Sequence, residues 1–530
     1  MSRTTTSANQ SGSRIATLFI ALFAFVVHIR ALANGLVSDD VVIMAHPLIQ
    51  SITTIPASFG AAWWYSTNHL YRPLTLFTFG IERSLVGPVV WLPHAVNIAL
   101  HVGVTLLLSR LLSRFTQPRA VVVAALLFAV LPVHVEAIAS VVGRAELLAG
   151  IMMLGVMLLA TSDAPSTPWR RAAMALLSAG ALASKETGVV APLLAIAAAW
   201  TRPETRKTAL AWGASAFVGT VALLAARFVV LGTLAGDAAN PVFRDMSSLH
   251  RVAVALAMLP RSAAMLFLPV APAIDFVPAA GEIARPSWLA VAGGVLVVVA
   301  IVAMVVLHTR RPSLATFGAC VLAATAAPTA NLVFASGVVL DARTLYGPSI
   351  GAMLMVGYAI DALDGARARR LAEAGTIVLA AMCAVVSWNE VPVWRSNNEM
   401  LATMIRRQPQ DYRSYAHLAY EARDAGDDVQ SLAQFRRAID LFRHDSEMLT
   451  DAATVALRMR DTSTAKEWLL AAVDANARAA RARTRLVGVL LVQGDSVRAR
   501  ELLAAGLAVE PDQRQWRIML GDTTQPSRRR

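Results

Sequence analysis

The chain has 530 residues, a formal charge of +13, 56% hydrophobic residues and only 16% charged ones; its mean hydropathy is +0.54. A hydrocarbon core about 30 Å thick needs roughly 20 apolar residues per helix, and several almost uncharged runs reach that length. That excludes an ordinary soluble domain, and the alternation of an outer-membrane barrel is missing.

Taken in chain order, residues 1–14 read as a cytoplasmic tail. No small-residue cleavage site follows it, so 15–33 is expected to be a retained helix and not a removed signal peptide. Further spans are expected at 90–108, 120–137, 147–161, 172–184, 188–200, 209–231, 288–307, 314–334, 350–363 and 371–388. One more apolar stretch, 252–270, is interrupted by Pro260 and Arg261. Cys320 and Cys383 lie within apolar runs, which speaks against a disulfide or a zinc site.

The basic residues fall in short clusters between these runs: Arg110/Arg114/Arg119, Arg170/Arg171, Arg202/Arg206/Lys207, Arg310/Arg311 and Arg367/Arg369/Arg370. That pattern speaks for membrane topology and against nucleic-acid binding. With the N-terminus inside, the first three clusters face the cytoplasm. The last two do so only if 252–270 does not cross completely. The expectation is therefore about 11 crossings plus one re-entrant or interfacial helix. The region after Trp388 then lies outside, on the side of a first outer loop at about 34–88. A linker is expected at 389–408.

From 409 to 521 the chain is polar and repeats. Ser431, Ala465 and Ala499 are spaced by 34, as are Phe435, Leu469 and Leu503, and Ala438, Ala472 and Gly506. Gly426-Asp427 and Gly494-Asp495 stand in matching turns 68 apart. A 34-residue period of small and large apolar residues is the tetratricopeptide signature: helix pairs that stack into an α-solenoid with a concave groove. The groove could bind peptide or serve only as a spacer. The basic tail 522–530 lies beyond the repeats. The fold class expected is all-α, a polytopic helical membrane domain followed by this solenoid.

Candidate chemistry gathers on the outer side. Asp39-Asp40 directly follow the first span; they could simply end the helix in water, or provide a base at the membrane surface. Arg72 stands in YRPLTLFTF, and His134, Glu136 and Arg144 in LPVHVEAIASVVGRAELL. Lys185-Glu186 stand in ASKETG, and Arg343 in DARTLYGPS. Ionisable residues at membrane depth cost about 2.5–3.5 kcal/mol each on insertion scales, so they usually face a cavity or one another. His134 could equally be a packing histidine, and Lys185-Glu186 a self-neutralising turn. His94, Asn97 and His101 share one helix face, which suits a polar helix seam better than a metal site. Carboxylates beside several cations suit a lipid-linked phosphate donor. Arg forks bind phosphate and stabilise it as it leaves, and a carboxylate can deprotonate an attacking hydroxyl. No glycine-rich nucleotide loop is present. A divalent metal is not indicated, and no cofactor is expected with certainty.

The ordered set GLVSDDVVI, YRPLTLFTF, WLPHAVNIALH, LPVHVEAIASVVGRAELL, LASKETGVV and DARTLYGPSIG, followed by the repeats, resembles the transmembrane-and-tetratricopeptide O-mannosyltransferase family and its bacterial relatives. These belong to the wider GT-C glycosyltransferases. The resemblance implies a polyprenyl-phosphate sugar donor, usually mannose. It implies transfer with inversion to Ser/Thr hydroxyls, or to another extracytoplasmic acceptor such as a glycan, at the outer face of a bacterial plasma membrane. It also implies an acidic catalytic residue at Asp39 or Asp40, with Asp40 weakly preferred. Phosphate-binding cations would be Arg343 with Lys185 or Arg144, and Arg72, His134, Glu136 and Glu186 would lie nearby. Leu131 stands where the family's block has a histidine, and Arg443 and Ala477 where Pro511 keeps the repeat proline. The alternative is a membrane scaffold that docks partners through its repeats and for which Asp39, Asp40 and Arg343 are replaceable.

Overall fold

A computed structural model describes residues 3–64, 70–234, 239–244, 246–511 and 513–520, with side chains from residue 14. The expected basic tail at 522–530 lies outside the described residues, as does the start of the N-terminal tail. Among the described residues the fold is all-helical, with one isolated bridge between Phe276 and Leu340. The chain divides into two compact units. The first comprises Met1–Ala238, Ser248–Phe276 and Pro286–Met400; the second comprises Ala239–Ser247, Val277–Arg285 and the chain from Leu401.

The first unit is a multi-pass membrane domain. Seven helices among the described residues are long and apolar enough to cross a bilayer: Arg14–Ala33, Trp91–Leu112, Val141–Ala160, Ala209–Leu231, Ser248–Phe267, Trp288–Arg310 and Ala366–Arg395. Pro118–Val130 and Pro132–Ala139 make an eighth if the pair, bent by 50°, is one span. The other expected spans form shorter helices, Pro168–Ser184, Ala191–Trp200, Leu314–Ala326 and Tyr346–Asp361. Polar residues shorten them. Lys185 ends one helix, and Glu186–Val190 form a 3-10 turn before the next can start. The run expected to reach 334 stops at Ala326, ahead of Pro328 and of Asn331, which is left-handed with φ 58°.

The stretch 252–270 forms one helix, Ser248–Phe267, that runs through Pro260 and is long enough to cross. Proline usually kinks or breaks a helix interior. Here it packs beside Gly293 of Trp288–Arg310, where a Cβ would stand 3.1 Å from its ring. Close approach of backbones recurs between Leu314–Ala326 and Tyr346–Asp361: a Cβ on Gly351 would meet the Gly318 carbonyl oxygen at 2.4 Å. Small residues let membrane helices approach closely where lipid offers no hydrophobic contrast.

The second unit contains helix pairs at the 34-residue period: Tyr412–Asp424 with Asp428–Leu441, Ser446–Arg458 with Thr462–Ala475, and Ala480–Val492 with Ser496–Val509. Each second helix is capped by an aspartate whose side chain accepts from the third helical amide: Asp427 from Gln430, Asp461 from Thr464, Asp495 from Arg498. Phe435, Leu469 and Leu503 are buried at equivalent positions, and the small residues Ala438, Ala472 and Gly506 let the paired helices close. The segment Val277–Arg285 joins this unit through the Val277 amide, which donates to Asp411 at 3.3 Å.

Candidate active site

The breaks in the membrane helices carry the charged residues, and the fold brings most of them together. Ser38 is left-handed at φ 51° and turns the chain into a short helix, Asp39–Met44. Its first turn sends the two adjacent carboxylates to different places. Asp40 is fully buried and accepts from the Val142 amide at 2.9 Å, the Ser140 hydroxyl at 3.0 Å and the Val37 amide at 3.3 Å. Burial pushes its carboxyl up to about 6, against the pull of these donors. Asp39 is half-buried and lies within electrostatic reach of Arg343.

The segment after Leu131 folds as two 3-10 turns around the short helix Val135–Ala139. Gly143 is required there, since a Cβ would stand 2.4 Å from the Ala137 carbonyl oxygen. This fold places Glu136 against the 3-10 turn Ala342–Leu345. Glu136 accepts from the Arg343 amide at 3.1 Å and lies 3.4 Å from its Nε, while Asp341 is 2.8 Å from the same Nε. Burial alone would raise Asp341, but Arg343, Glu136, Lys185 and the Asp275 backbone together outweigh it and hold the carboxyl below its ordinary range. Burial likewise opposes the charge on Arg343, yet Asp341 and Glu136, then Asp39 and Asp275, raise its pKa. The Arg343 side chain is 25% exposed, so a charged, well-oriented fork remains open on one side.

A second set of pairs adjoins the first. Lys185 is paired with Glu146 and lies within electrostatic reach of Arg72, Arg343 and Asp341. Arg72 grips Glu186 through Nε at 3.0 Å and a terminal nitrogen at 2.7 Å, and packs over the Trp63 ring at 5.2 Å. Arg227 reaches Glu186 from the other side at 3.9 Å.

Arg144 does not join this cluster's open face. It is fully buried, is paired with Glu82, donates to Asn97 at 3.0 Å and the Pro93 carbonyl at 2.9 Å, and stacks on Phe79 at 4.3 Å. It is a strut between the helices Pro73–Val86, Trp91–Leu112 and Arg144–Ala160. His134 is also fully buried, bonded through Nε2 to Ser349 at 2.8 Å. His101 bonds Tyr346 at 2.9 Å and the Ala129 carbonyl oxygen at 3.2 Å, and Asn97 donates to Ser140 at 3.0 Å. These groups form a polar seam between helices. No group of three or more potential metal ligands occurs among the described residues.

Two residues of the cluster carried no weight in the sequence. Arg227 is the one charged residue in the run 209–231, a signal of a functional or paired cation at membrane depth. Asp275 sits in a proline-rich segment that reads only as a break.

Comparison with known proteins finds partial likenesses. Parts of the chain are similar to the human protein O-mannosyl-transferase TMTC4, 37% identical over 163 residues, which is 26% of this chain and 22% of the relative. They are also similar to the mouse protein O-mannosyl-transferase TMTC1, 39% identical over 135 residues, 24% of this chain and 14% of the relative. The Drosophila melanogaster protein O-mannosyl-transferase Tmtc2 is 31% identical over 205 residues, 35% of this chain and 22% of the relative. The chain thus aligns with less than a quarter of the length of each. No family model and no solved structure matches.

Proposed function

We propose that the chain is a membrane glycosyltransferase that moves a mannosyl group from a polyprenyl-phosphate donor to serine or threonine hydroxyls of extracytoplasmic proteins. The observation that carries this reading is a partly open guanidinium, Arg343, held by Asp341 and Glu136, with the half-buried carboxylate Asp39 within its electrostatic reach. The names of the similar proteins support the sugar and the acceptor class.

In this reading Asp39 takes the acceptor hydroxyl's proton as its oxygen attacks the anomeric carbon. The bond from that carbon to the phosphate oxygen breaks, and polyprenyl phosphate leaves with the electron pair. One displacement inverts the anomeric centre. Arg343 stabilises the charge that develops on the leaving phosphate, with Lys185 and Arg72 beside it. Asp40, which the sequence weakly favoured as base, holds the first outer loop to Ser140 and Val142 instead. Arg144 leaves the phosphate-binding set because its donors are already used.

The cluster and the repeats lie outside a bacterial plasma membrane in this proposal, and the repeats present the acceptor. The sidedness rests on the basic clusters and on the helix Ser248–Phe267 not crossing.

The test is turnover of full-length protein in lipid nanodiscs with polyprenyl-phosphate mannose and a Ser/Thr-rich acceptor. Asp39→Asn keeps shape and removes basicity. Turnover is expected to fall about 10²–10⁴-fold with donor binding retained. Transfer at the parental rate would remove Asp39 from the chemistry. If the parent transfers nothing and Arg343→Ala leaves cells unaffected, the scaffold reading replaces this one.

A further inference from the structure

We propose that the membrane unit holds one anionic glycerophospholipid in a groove between the helices Tyr346–Asp361 and Ala366–Glu390, at the end away from Arg343. This site does not depend on the transferase reading above; the lining of the groove and an arginine at its mouth carry it.

Small residues make the groove. Ala359 lines it from the first helix, Ala372, Gly375 and Thr376 from the second, with Leu363 and Leu379 beside them. The space is about 370 Å³, within the range of pockets that hold small ligands. A Cβ built on Gly375 would meet nothing within 4 Å. Glycine weakens a helix interior, and what this one supplies is room. The hydroxyl of Thr376 donates to the Ala372 carbonyl oxygen at 2.8 Å, so the walls offer hydrocarbon only. Water needs polar partners that this lining does not give it; a lipid chain does not. Leu371, Ile377 and Val378 on the same helix are 65%, 51% and 59% exposed, so its flanks face the bilayer.

The mouth discriminates among lipids. Arg369, Ala372, Thr376 and Leu379 follow one another at helical spacing on one face. One terminal nitrogen of Arg369 caps the preceding helix, donating to the Leu363 carbonyl oxygen at 3.1 Å and to that of Asp361 at 3.5 Å. This fixes the guanidinium at the groove, while its Nε is buried without a hydrogen-bond partner. A buried donor is costly to leave unpaired. The phosphate of a lipid whose chain lies in the groove supplies the acceptor, in the charge-assisted bond that suits arginine. Arg367 and Arg370 are exposed in the same turn. Ile360 packs on Ala120 and Val123, which brings the exposed Arg119 to this end as well. These four arginines outnumber the carboxylates Asp361, Asp364 and Glu373, and basic pockets between membrane helices favour anionic headgroups. Tyr346–Asp361 has 16 residues, about 24 Å of helix at about 1.5 Å each, which separates this site from Arg343.

The experiment is native mass spectrometry of full-length protein in detergent. The probes are dioleoyl phosphatidylglycerol, dioleoyl phosphatidylcholine, polyprenyl phosphate and glycerol phosphate. The parent is expected to retain one phosphatidylglycerol about 10-fold or more tightly than phosphatidylcholine, and Arg369→Gln to weaken it by about 10- to 100-fold, the scale of one hydrogen bond to a charged group. Gly375→Leu fills the groove and is expected to lose it by a similar factor. Leucine is also the better helix former, so this variant without lipid should unfold no earlier than the parent; phosphatidylglycerol should raise the unfolding midpoint of the parent alone. Parental binding by either variant overturns the site, as does equal affinity for the two phospholipids. Tighter binding of polyprenyl phosphate that Gly375→Leu abolishes would give the groove to that carrier and overturn the assignment. Glycerol phosphate bound as tightly as the whole lipid would leave an anion site without a chain and overturn it too.

Discussion

Two adjacent aspartates have parted company. Asp40 is sealed against Ser140 and Val142, and Asp39 lies within electrostatic reach of Arg343. Their adjacency was legible in the sequence, but their different surroundings were not, because these are set by Ser140 and Val142, about a hundred positions away, and by Arg343, about three hundred away. Arg144 shows the same limit: its charge was visible, but its engagement with Glu82 and Asn97 was not. Asp40 also makes a pH prediction. Its folded pKa of about 6 lies above the ordinary 3.8, so the folded state holds its proton more tightly. Stability is therefore highest below about pH 4, falls as pH rises toward 6, and levels off above that. The loss is on the order of a few kcal/mol. Thermal unfolding midpoints measured from pH 4 to 7 should show this decline in the parent, and Asp40→Asn should flatten it. An unchanged slope in the variant would assign the decline to another group.

At the scale of the element, the repeats were the most legible part, because a 34-residue period needs only local packing to be seen. The turn between the helices of each pair uses a left-handed residue at positions 34 apart: Gly426 at φ 82°, Arg460 at φ 62° and Gly494 at φ 79°. Only the middle repeat departs from glycine, although its cap, Asp461, is in place. Arg460→Gly should relieve about 1–2 kcal/mol of local strain, less the extra freedom glycine gains in the unfolded chain. The net expectation is a gain of about 0.5–1 kcal/mol, read as a higher midpoint in denaturant titration. A loss would mean that the arginine side chain contributes more than its backbone costs. The membrane helices were less legible. Apolar runs mark where a helix can lie, but not where Lys185, Glu186 or Asn331 will end it, since that depends on partners brought by other helices.

Across the whole molecule, the polar groups that break the helices are the ones that meet. Hydropathy reads them as interruptions, and only the assembled fold makes Asp39, Glu136, Lys185, Asp341 and Arg343 neighbours. The proposed sidedness is checked by a reporter fused after Trp388, expected to be active only when exported. Activity confined to the cytoplasm would separate the repeats from the outer loop and require Ser248–Phe267 to be counted as a crossing.

The bond between Glu136 and Arg343 spans 207 residues of chain. At roughly 5–20 residues per second of synthesis, Glu136 is made about 10–40 s before its cation exists. Throughout that interval the growing domain holds a carboxylate destined for the interior with its ion-pair partner still untranslated. A chain truncated before DARTL is therefore expected to be degraded faster than one truncated just beyond it, a difference that pulse-chase of the two truncations would read.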